Sequence, residues 1–395
     1  QTQEERPLAG WTCPDLVQLA TALAHGRLDN PSVLLAVYEE SLERLTYKTG
    51  GPRRQQLFTT AEVSVLLWVQ ARMYLMPKFG EMYREFPRAA SRALLRRMEG
   101  RKDWDGDEGL PQSGGRTALY PATTMRRKGL GPQEQANLAW SLTVLENYDD
   151  DVVTLLQNIF HAASSSSGGD GDDDECLIQL EHAHQLWQSY FLLSHDRPDA
   201  VRLVPMEFAQ YLEEKWNAEK GRRKSSSSRH TAISRTLDLM GVAHRNEVDE
   251  DVDVAIVLEG DGGKWTRAAV RVADPGAVAN EGDGRRKVAV EFDGPHHFTV
   301  AASTGEELRL MEEGAKLAPP RVLGHTVLKY RLLKKKGWTV VRIPYYEFDK
   351  IPFWASMERQ RYLQRALKTH DKIEFSGIDI SEYKVMPPTR HSRFD

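Results

Sequence analysis

The sequence is poor in cysteine and in long apolar runs. Only Cys13 and Cys176 are present among 395 residues. Two thiols exclude a disulfide framework and a cysteine-built zinc site, and they fit a reducing compartment. No apolar run reaches the roughly 20 residues that a membrane-spanning helix needs, so we expect no membrane partner. The net charge of −4 excludes a uniformly basic coat for nucleic acid but leaves room for a local basic patch.

Such a basic patch is present near the C-terminus. The thirty residues from Arg321 to Lys350 contain eight lysines and arginines against two carboxylates. The acidic residues are concentrated elsewhere, notably in 170–175 and 247–253. The charge pattern therefore indicates one region of the chain suited to an anionic partner.

The first half of the chain contains segments with a helical apolar pattern. They are 15–24, 61–73, 132–146 and 181–193. The apolar stripes are wide, which is typical of helices covered on two sides, as in stacked helical hairpins. Aligning Ala20, Leu67, Ala139 and Leu186 gives irregular steps of 47, 72 and 47 residues. We predict a helical repeat-like region over 1–218, and a plain helical bundle fits the same pattern.

Low-complexity stretches divide the chain. The run SSSSGGDGDDD at 164–174 cannot bury a core, so it predicts a disordered-type insertion. The basic, serine-rich stretch 219–229 predicts a linker to a C-terminal domain over 230–370, with a tail at 371–395.

The sequence pattern predicts that the C-terminal domain is of the α/β class. Helical patterns occupy 228–240, 326–336 and 354–368, and strand patterns occupy 252–258, 288–292 and 338–343. In the second strand Val288, Val290 and Phe292 face one way, and Glu291 and Asp293 face the other. In the other elements the residues predicted for the core are Leu328, Leu332, Met357, Leu363 and Leu367. The elements predict a small mixed sheet with helices on its faces.

Several short motifs in this region carry a family resemblance. They are Asp253 on its strand, EFDGP at 291–295, HF at 297–298, GHT at 324–326, GW at 337–338 and VRIP at 341–344. Their order and spacing resemble the RAP domain, a module at the C-termini of organellar RNA-binding proteins. The stretch 130–147 resembles the heptatricopeptide and octotricopeptide-like repeats that precede such domains. The intervals 254–290 and 299–323 are longer than the family pattern implies.

The resemblance implies a restriction-endonuclease-like α/β fold and a possible nuclease remnant. Active members of that fold hold Mg²⁺ with an acid on one strand and with Glu-x-Lys on the next. Asp253 and Glu291 match the two acids, Asp293 stands where the lysine would be, and His297 is a candidate base. The alternative is structural, since Asp293-Gly294-Pro295 is also a typical turn sequence.

The basic patch and the aromatic residues after it form the candidate RNA-binding set. It comprises Lys329, Arg331, Lys334, Lys335, Lys336, Arg342, Tyr345 and Tyr346. Cations hold phosphates, and aromatic rings stack on unpaired bases. A solvated helix face followed by aromatic core residues would give the same local pattern.

The resemblance implies a mitochondrial RNA-binding protein. We expect a component of a divergent mitochondrial ribosome that contacts rRNA and neighbouring ribonucleoprotein subunits. One alternative is an organellar RNA processing or stability factor, or a metal-dependent RNA nuclease. Another is a protein-interaction scaffold. Mg²⁺ is the one candidate cofactor.

Overall fold

The computed structural model describes residues 7–46, 57–98, 130–166, 180–220, 228–248, 252–258, 264–265, 286–301, 319–371, 374–375 and 380–382. The chain forms two compact units. The first comprises Gln1–Glu219 and His297–Leu332, and the second comprises Lys220–His296 and Leu333–Asp395. Most of the predicted insertion, linker and tail lies outside the described residues. The interval 297–332, which the sequence analysis places in the C-terminal domain, groups with the N-terminal helices.

Helices make up most of the first unit. They are α1 (Cys13–Gly26), α2 (Pro31–Thr46), α3 (Thr60–Arg72), α4 (Met82–Met98), α5 (Pro132–Leu145), α6 (Asp150–Ser166), α7 (Leu180–Asp196) and α8 (Met206–Lys220). Two of them begin with capping boxes, in which Thr12 pairs with Asp15 and Thr59 pairs with Glu62. These reciprocal bonds satisfy amide groups that the first helical turn leaves without partners.

The helices stack as pairs in two layers. Helices α1, α3, α5 and α7 lie side by side in one layer, and α2, α4 and α6 form a second layer against them. The four helices predicted from the sequence are those of the first layer. Their aligned residues Ala20, Leu67, Ala139 and Leu186 are all buried. The helical character of this region is confirmed, and the stacked pairs are consistent with repeats. Ser164–Ser166, predicted as part of the insertion, is the end of α6.

The segment from residue 297 to 332 belongs to the first unit. Its short strand β6 (Val300–Ala301) pairs in parallel with β1 (Leu28–Asp29). Helix α10 (Gly324–Lys335) follows, and the side chains of Leu323, Leu328 and Leu332 lie in the core that the helical layers form. The predicted burial of the latter two leucines is confirmed.

The second unit is built on a four-stranded mixed sheet. Its strands are β2 (Arg245–Val248), β3 (Val252–Leu258), β5 (Arg286–Asp293) and β7 (Trp338–Pro344), in the order β2-β3-β5-β7. The β5–β7 pairing is parallel, and the other two pairings are antiparallel. Two further strands, β4 (Lys264–Trp265) and β8 (Glu374–Phe375), pair in parallel with each other. The predicted small mixed sheet is confirmed, and the restriction-endonuclease-like fold stays a prediction.

Helices cover the apolar face of this sheet. They are α9 (Ser228–Leu239), the short α11 (Tyr345–Phe348) and α12 (Ser356–Asp371). Val288, Val290 and Phe292 point into the core as predicted, together with Leu363 and Leu367. The prediction for Met357 is wrong, because its side chain is 58 % exposed at the start of α12. Among the described helices, none has the length and apolar content to cross a membrane.

Candidate nucleic-acid interface

Strands β5 and β7 end at the same edge of the sheet. Their register places Glu291 beside Arg342 and Asp293 beside Pro344. Tyr345 begins α11 immediately after β7. Because ligands of sheets with parallel strands bind outside the carboxyl ends of those strands, this edge is the candidate site.

Asp253 and Glu291 exchange hydrogen bonds with each other's strand. The Asp253 amide donates to Glu291 Oε1 at 3.1 Å, and the Phe292 amide donates to Asp253 Oδ2 at 2.9 Å. The paired register of β3 and β5 runs up to Val254 and Val290. Beyond these pairs, the two carboxylates accept the hydrogen bonds between β3 and β5 in place of backbone carbonyl groups. They satisfy amide groups that would otherwise lose their partners.

Asp293 is buried and pairs with a cation from the neighbouring strand. Arg342 Nε lies 2.8 Å from Asp293 Oδ2, and only 3 % of the Asp293 side chain is exposed. In the sequence Asp293 stands where the resemblance implies a lysine, so no cation lies next to the acids on their own strand. The structure supplies one from β7. Arg342, predicted to bind RNA, thus has a carboxylate partner at the sheet edge.

The backbone after Asp293 agrees with the turn interpretation. Strand β5 ends at Asp293, and a short 3-10 helix occupies Pro295–His297. A side chain at the intervening Gly294 would contact the imidazole of His296 at 3.0 Å. A residue without a side chain therefore suits this tight exit from the strand.

His230 is a site residue that the sequence analysis missed. It lies on α9, and its Nε2 is 3.3 Å from Asp253 Oδ2. Its ring also meets the Phe292 ring edge-on, with centroids 6.2 Å apart. No local motif identifies His230, because the contact depends on how α9 packs against β3.

His297 belongs to the first unit, and the three acids belong to the second. Its Nδ1 is 2.8 Å from the hydroxyl of Thr326, and its carbonyl accepts from the Leu323 amide. These contacts give His297 a role in fixing the start of α10. Its function as a catalytic base stays a prediction.

The described carboxylates do not assemble a metal centre. Across the described ranges, no group of three or more histidine, cysteine or acidic side chains is arranged to hold a metal ion. Asp253 and Glu291 have the oxygen ligands that Mg²⁺ prefers, yet each accepts a backbone hydrogen bond. Each of the two acids thus has one oxygen that accepts a backbone amide, and Mg²⁺ binding at this edge stays a prediction.

Arg331 is an internal cation of the first unit. Its Nη1 donates to Thr143 O at 2.6 Å, and its Nη2 donates to Asp196 Oδ2 at 2.7 Å. Only 14 % of its side chain is exposed. This placement corrects the sequence-based interpretation, and we leave Arg331 out of the proposed RNA-binding set.

The other cations of α10 differ in exposure. Lys334 and Lys335 are exposed in the last turn, while Lys329 and Lys336 are half-buried. Within the second unit, strand β7 separates Lys334, Lys335 and Lys336 from the tyrosines. Its seven residues, at about 3.3 Å each, place the two sets at opposite ends of a strand roughly 20 Å long. The lysines before β7 and the tyrosines after it, although close in sequence, therefore lie at two separate surface positions.

The tyrosines are partly core residues. Tyr345 and Tyr346 are half-buried and meet edge-to-face with centroids 5.6 Å apart. Tyr345 packs against the core, whose nearby Phe348 is fully enclosed. Burial and the adjacent Glu347 raise the pKa of Tyr346. Each tyrosine thus presents one part of its ring to the surface.

Comparison with known families identifies this region. Residues 290–366, from within β5 to within α12, match the family described as RAP domain. No curated protein sequence matches the chain. The match contains the Asp293–Arg342 ion pair, the exposed lysines of α10 and both tyrosines. The chain therefore contains a RAP domain, a module associated with RNA binding, preceded by a helical region consistent with repeats.

Proposed function

We propose that this chain is an RNA-binding protein and that its RAP domain supplies contacts to RNA. The observation that carries the proposal is the RAP match at residues 290–366, which overlaps the basic interval 321–350. RNA binding by proteins depends on cations that neutralise phosphates and on rings that stack on unpaired bases. The matched interval contains both kinds of residue.

The structure supports particular residues for these contacts. Lys334 and Lys335 present their ammonium groups at the exposed end of α10. Tyr345 and Tyr346 directly follow β7, the strand that carries Arg342. Arg342 is half-buried, and its Nε lies 2.8 Å from Asp293 Oδ2. An extended single strand that follows the sheet would meet the lysines at one end and the tyrosines at the other.

We further propose that the protein works in mitochondria as an rRNA-bound component of a divergent ribosome. The family resemblance supports the compartment. The described part of the helical region contains four helix pairs, which is few for reading a transcript at one base per repeat. A short helical stack joined to an RNA-binding module suits a scaffold held by structured RNA and by protein neighbours.

Crosslinking in intact organelles, followed by sequencing of the attached RNA, tests these proposals. Reads confined to one or two rRNA patches are expected for a ribosomal component. Reads spread over precursor or messenger ends would replace the ribosomal role with processing or stability. The absence of RNA above background would contradict RNA binding and favour the scaffold.

We propose binding without cleavage. The carboxylates of Asp253 and Glu291 hold backbone amides, and Asp293 holds Arg342. These contacts give all three acids a structural role at the sheet edge. Incubation of the purified protein with labelled RNA and Mg²⁺ or Mn²⁺ should leave the RNA intact. Cleavage that the Glu291→Gln substitution abolishes would contradict this account.

A further inference from the structure

Two aromatic side chains project from the loop between α11 and α12. Phe353 is 78 % exposed and Trp354 is 73 % exposed. They are the two most exposed large apolar side chains among the described residues. Met357, in the first turn of α12, extends the same apolar surface at 58 % exposure. Exposed rings of this size are unfavourable in water, and in a folded protein a cluster of them marks an interaction surface.

The loop that holds these rings is tied to the core. The Ile351 amide donates to Phe348 O at 3.1 Å, and the Ala355 amide donates to Pro352 O at 3.0 Å. Arg359 lies over the buried Phe348 ring, with its guanidinium carbon 5.1 Å from the ring centroid. The two rings are therefore presented by an ordered turn, so a ligand need not order the backbone before binding.

The rings of Phe353 and Trp354 form a corner. Their centroids are 4.9 Å apart, and their planes meet at 83°. We call this pair the aromatic corner. The two exposed rings therefore present their faces in nearly perpendicular directions, and a planar group can stack on one of these faces. Nucleobases are planar and have a π-face, whatever their sequence.

The charges around the aromatic corner favour a polyanion. Residues 350–368 contain five lysines and arginines and one carboxylate, Glu358. Glu358 is paired with Arg361 at 2.6 Å. Lys350 and Arg365 are exposed on either side of the corner in the sequence. Rings that accept a base, with cations nearby for the flanking phosphates, are the combination that single-stranded nucleic acid requires.

We infer that Phe353 and Trp354 form a nucleobase-stacking site that takes one unpaired base of single-stranded RNA. The inference rests on the proposed function and adds a second kind of contact to the cations of α10. Because paired bases are stacked inside a duplex, the site is selective for single strands.

Fluorescence anisotropy with a labelled oligouridylate of about 12 nucleotides tests this site, with a duplex RNA of equal length alongside. The Phe353→Ala/Trp354→Ala variant should bind the single strand about tenfold more weakly or worse, since a base stack is lost. Its affinity for the duplex and its dependence on salt should not change, because stacking releases no counterions. The Phe353→Tyr/Trp354→Phe variant should keep its affinity within about threefold, because the rings remain.

Leu203→Ala/Met206→Ala is the matched control. Both side chains are exposed apolar residues of the first unit, at 66 % and 68 %. This variant should bind single strands as the wild type does. Equal losses in the control and the aromatic variant would overturn the inference, as would an equal loss for single strand and duplex.

Three further outcomes separate the inference from the proposed function. A wild type that binds RNA, with an aromatic variant that binds it equally, would overturn the stacking site and leave RNA binding intact. Loss of a co-purifying protein with RNA affinity unchanged would instead identify the corner as a protein-binding surface. A wild type without RNA affinity would overturn both proposals together.

Discussion

Arg331 donates a hydrogen bond of 2.7 Å to the carboxylate of Asp196, although the two residues are 135 positions apart in the chain. Arg331 belongs to the RAP match, and Asp196 ends helix α7 of the helical region. A second bond from Arg331 satisfies Thr143 O at the end of α5. Part of the RAP sequence is thus built into the helical unit, where its leucines and its buried arginine complete the core.

Arg331→Met should destabilise the protein without directly weakening RNA binding. The substitution removes the hydrogen bonds from Arg331 to Asp196 and to Thr143 O, and breaking a largely buried pair costs about 3 kcal/mol. Lys334→Met is the matched control, since it changes an exposed cation on the same helix and should alter stability by less than about 0.5 kcal/mol. Urea unfolding measures both variants. An Arg331→Met protein of normal stability with reduced RNA affinity would show that Arg331 contacts phosphate instead.

Gly324→Ala should also destabilise the first unit. A Cβ at this position would overlap Ala71 O and lie 2.9 Å from Val144 Cγ1, so α10 would have to move away from α3 and α5. Overpacking of this kind typically costs about 1–3 kcal/mol. Gly10→Ala is the control, because nothing lies within 4 Å of a Cβ placed there. Thermal unfolding compares the two, and a Gly324→Ala protein as stable as the control would contradict the described packing.

Glu291 gives a test of the role of the acids. Glu291→Gln keeps an oxygen that can accept from the Asp253 amide, so stability should change by less than about 1 kcal/mol. Glu291→Leu removes the acceptor and should cost roughly 1–3 kcal/mol, because the part-buried Asp253 amide loses this hydrogen bond. RNA affinity should be kept in the Gln variant. If the wild type cleaves RNA in the presence of Mg²⁺ and the Gln variant does not, with stability unchanged, Glu291 is a metal ligand after all.

His182 predicts a pH dependence of stability. Burial lowers the pKa of this imidazole below its usual 6.5, and the nearby Glu181 and Glu134 offset the effect only in part. Its Nδ1 is buried without a hydrogen-bond partner. Below the unfolded pKa the unfolded chain binds a proton more readily than the native protein, so this contribution to stability falls as the pH drops from 6.5 towards the folded pKa. NMR titration of the His182 imidazole checks this, and a midpoint at or above 6.5 would contradict it.

The sequence predicts the helices and strands of this fold better than it predicts which of them pack together. The helices of the first layer have wide apolar stripes, because each is covered by neighbours and by the second layer. Helices of the second layer, such as α4 with its five arginines, keep a polar face, and the sequence analysis does not predict them. Strand β3 occupies the predicted interval 252–258, because its alternating pattern sits between polar stretches.

The candidate site shows the limit of prediction from sequence. Periodicity places Lys334, Lys335 and Arg331 on one short helix, yet only packing against α5 and α7 determines which of them is buried. The Asp293–Arg342 pair depends on the parallel register of β5 and β7, which no local pattern encodes. The exposure of Phe353 and Trp354 likewise depends on a turn that holds their rings away from the core.

The most direct test of RNA binding by the RAP domain measures affinity for a single-stranded RNA over a range of salt concentrations. Wild type is compared with Lys334→Glu/Lys335→Glu and with Arg96→Glu/Arg202→Glu, a control with the same charge change at exposed positions of the helical unit. The lysine variant should bind more weakly, and its salt slope should fall by about 0.7 for each phosphate that it no longer neutralises. The control should keep the wild-type slope. Identical slopes and affinities for all three proteins would contradict the account.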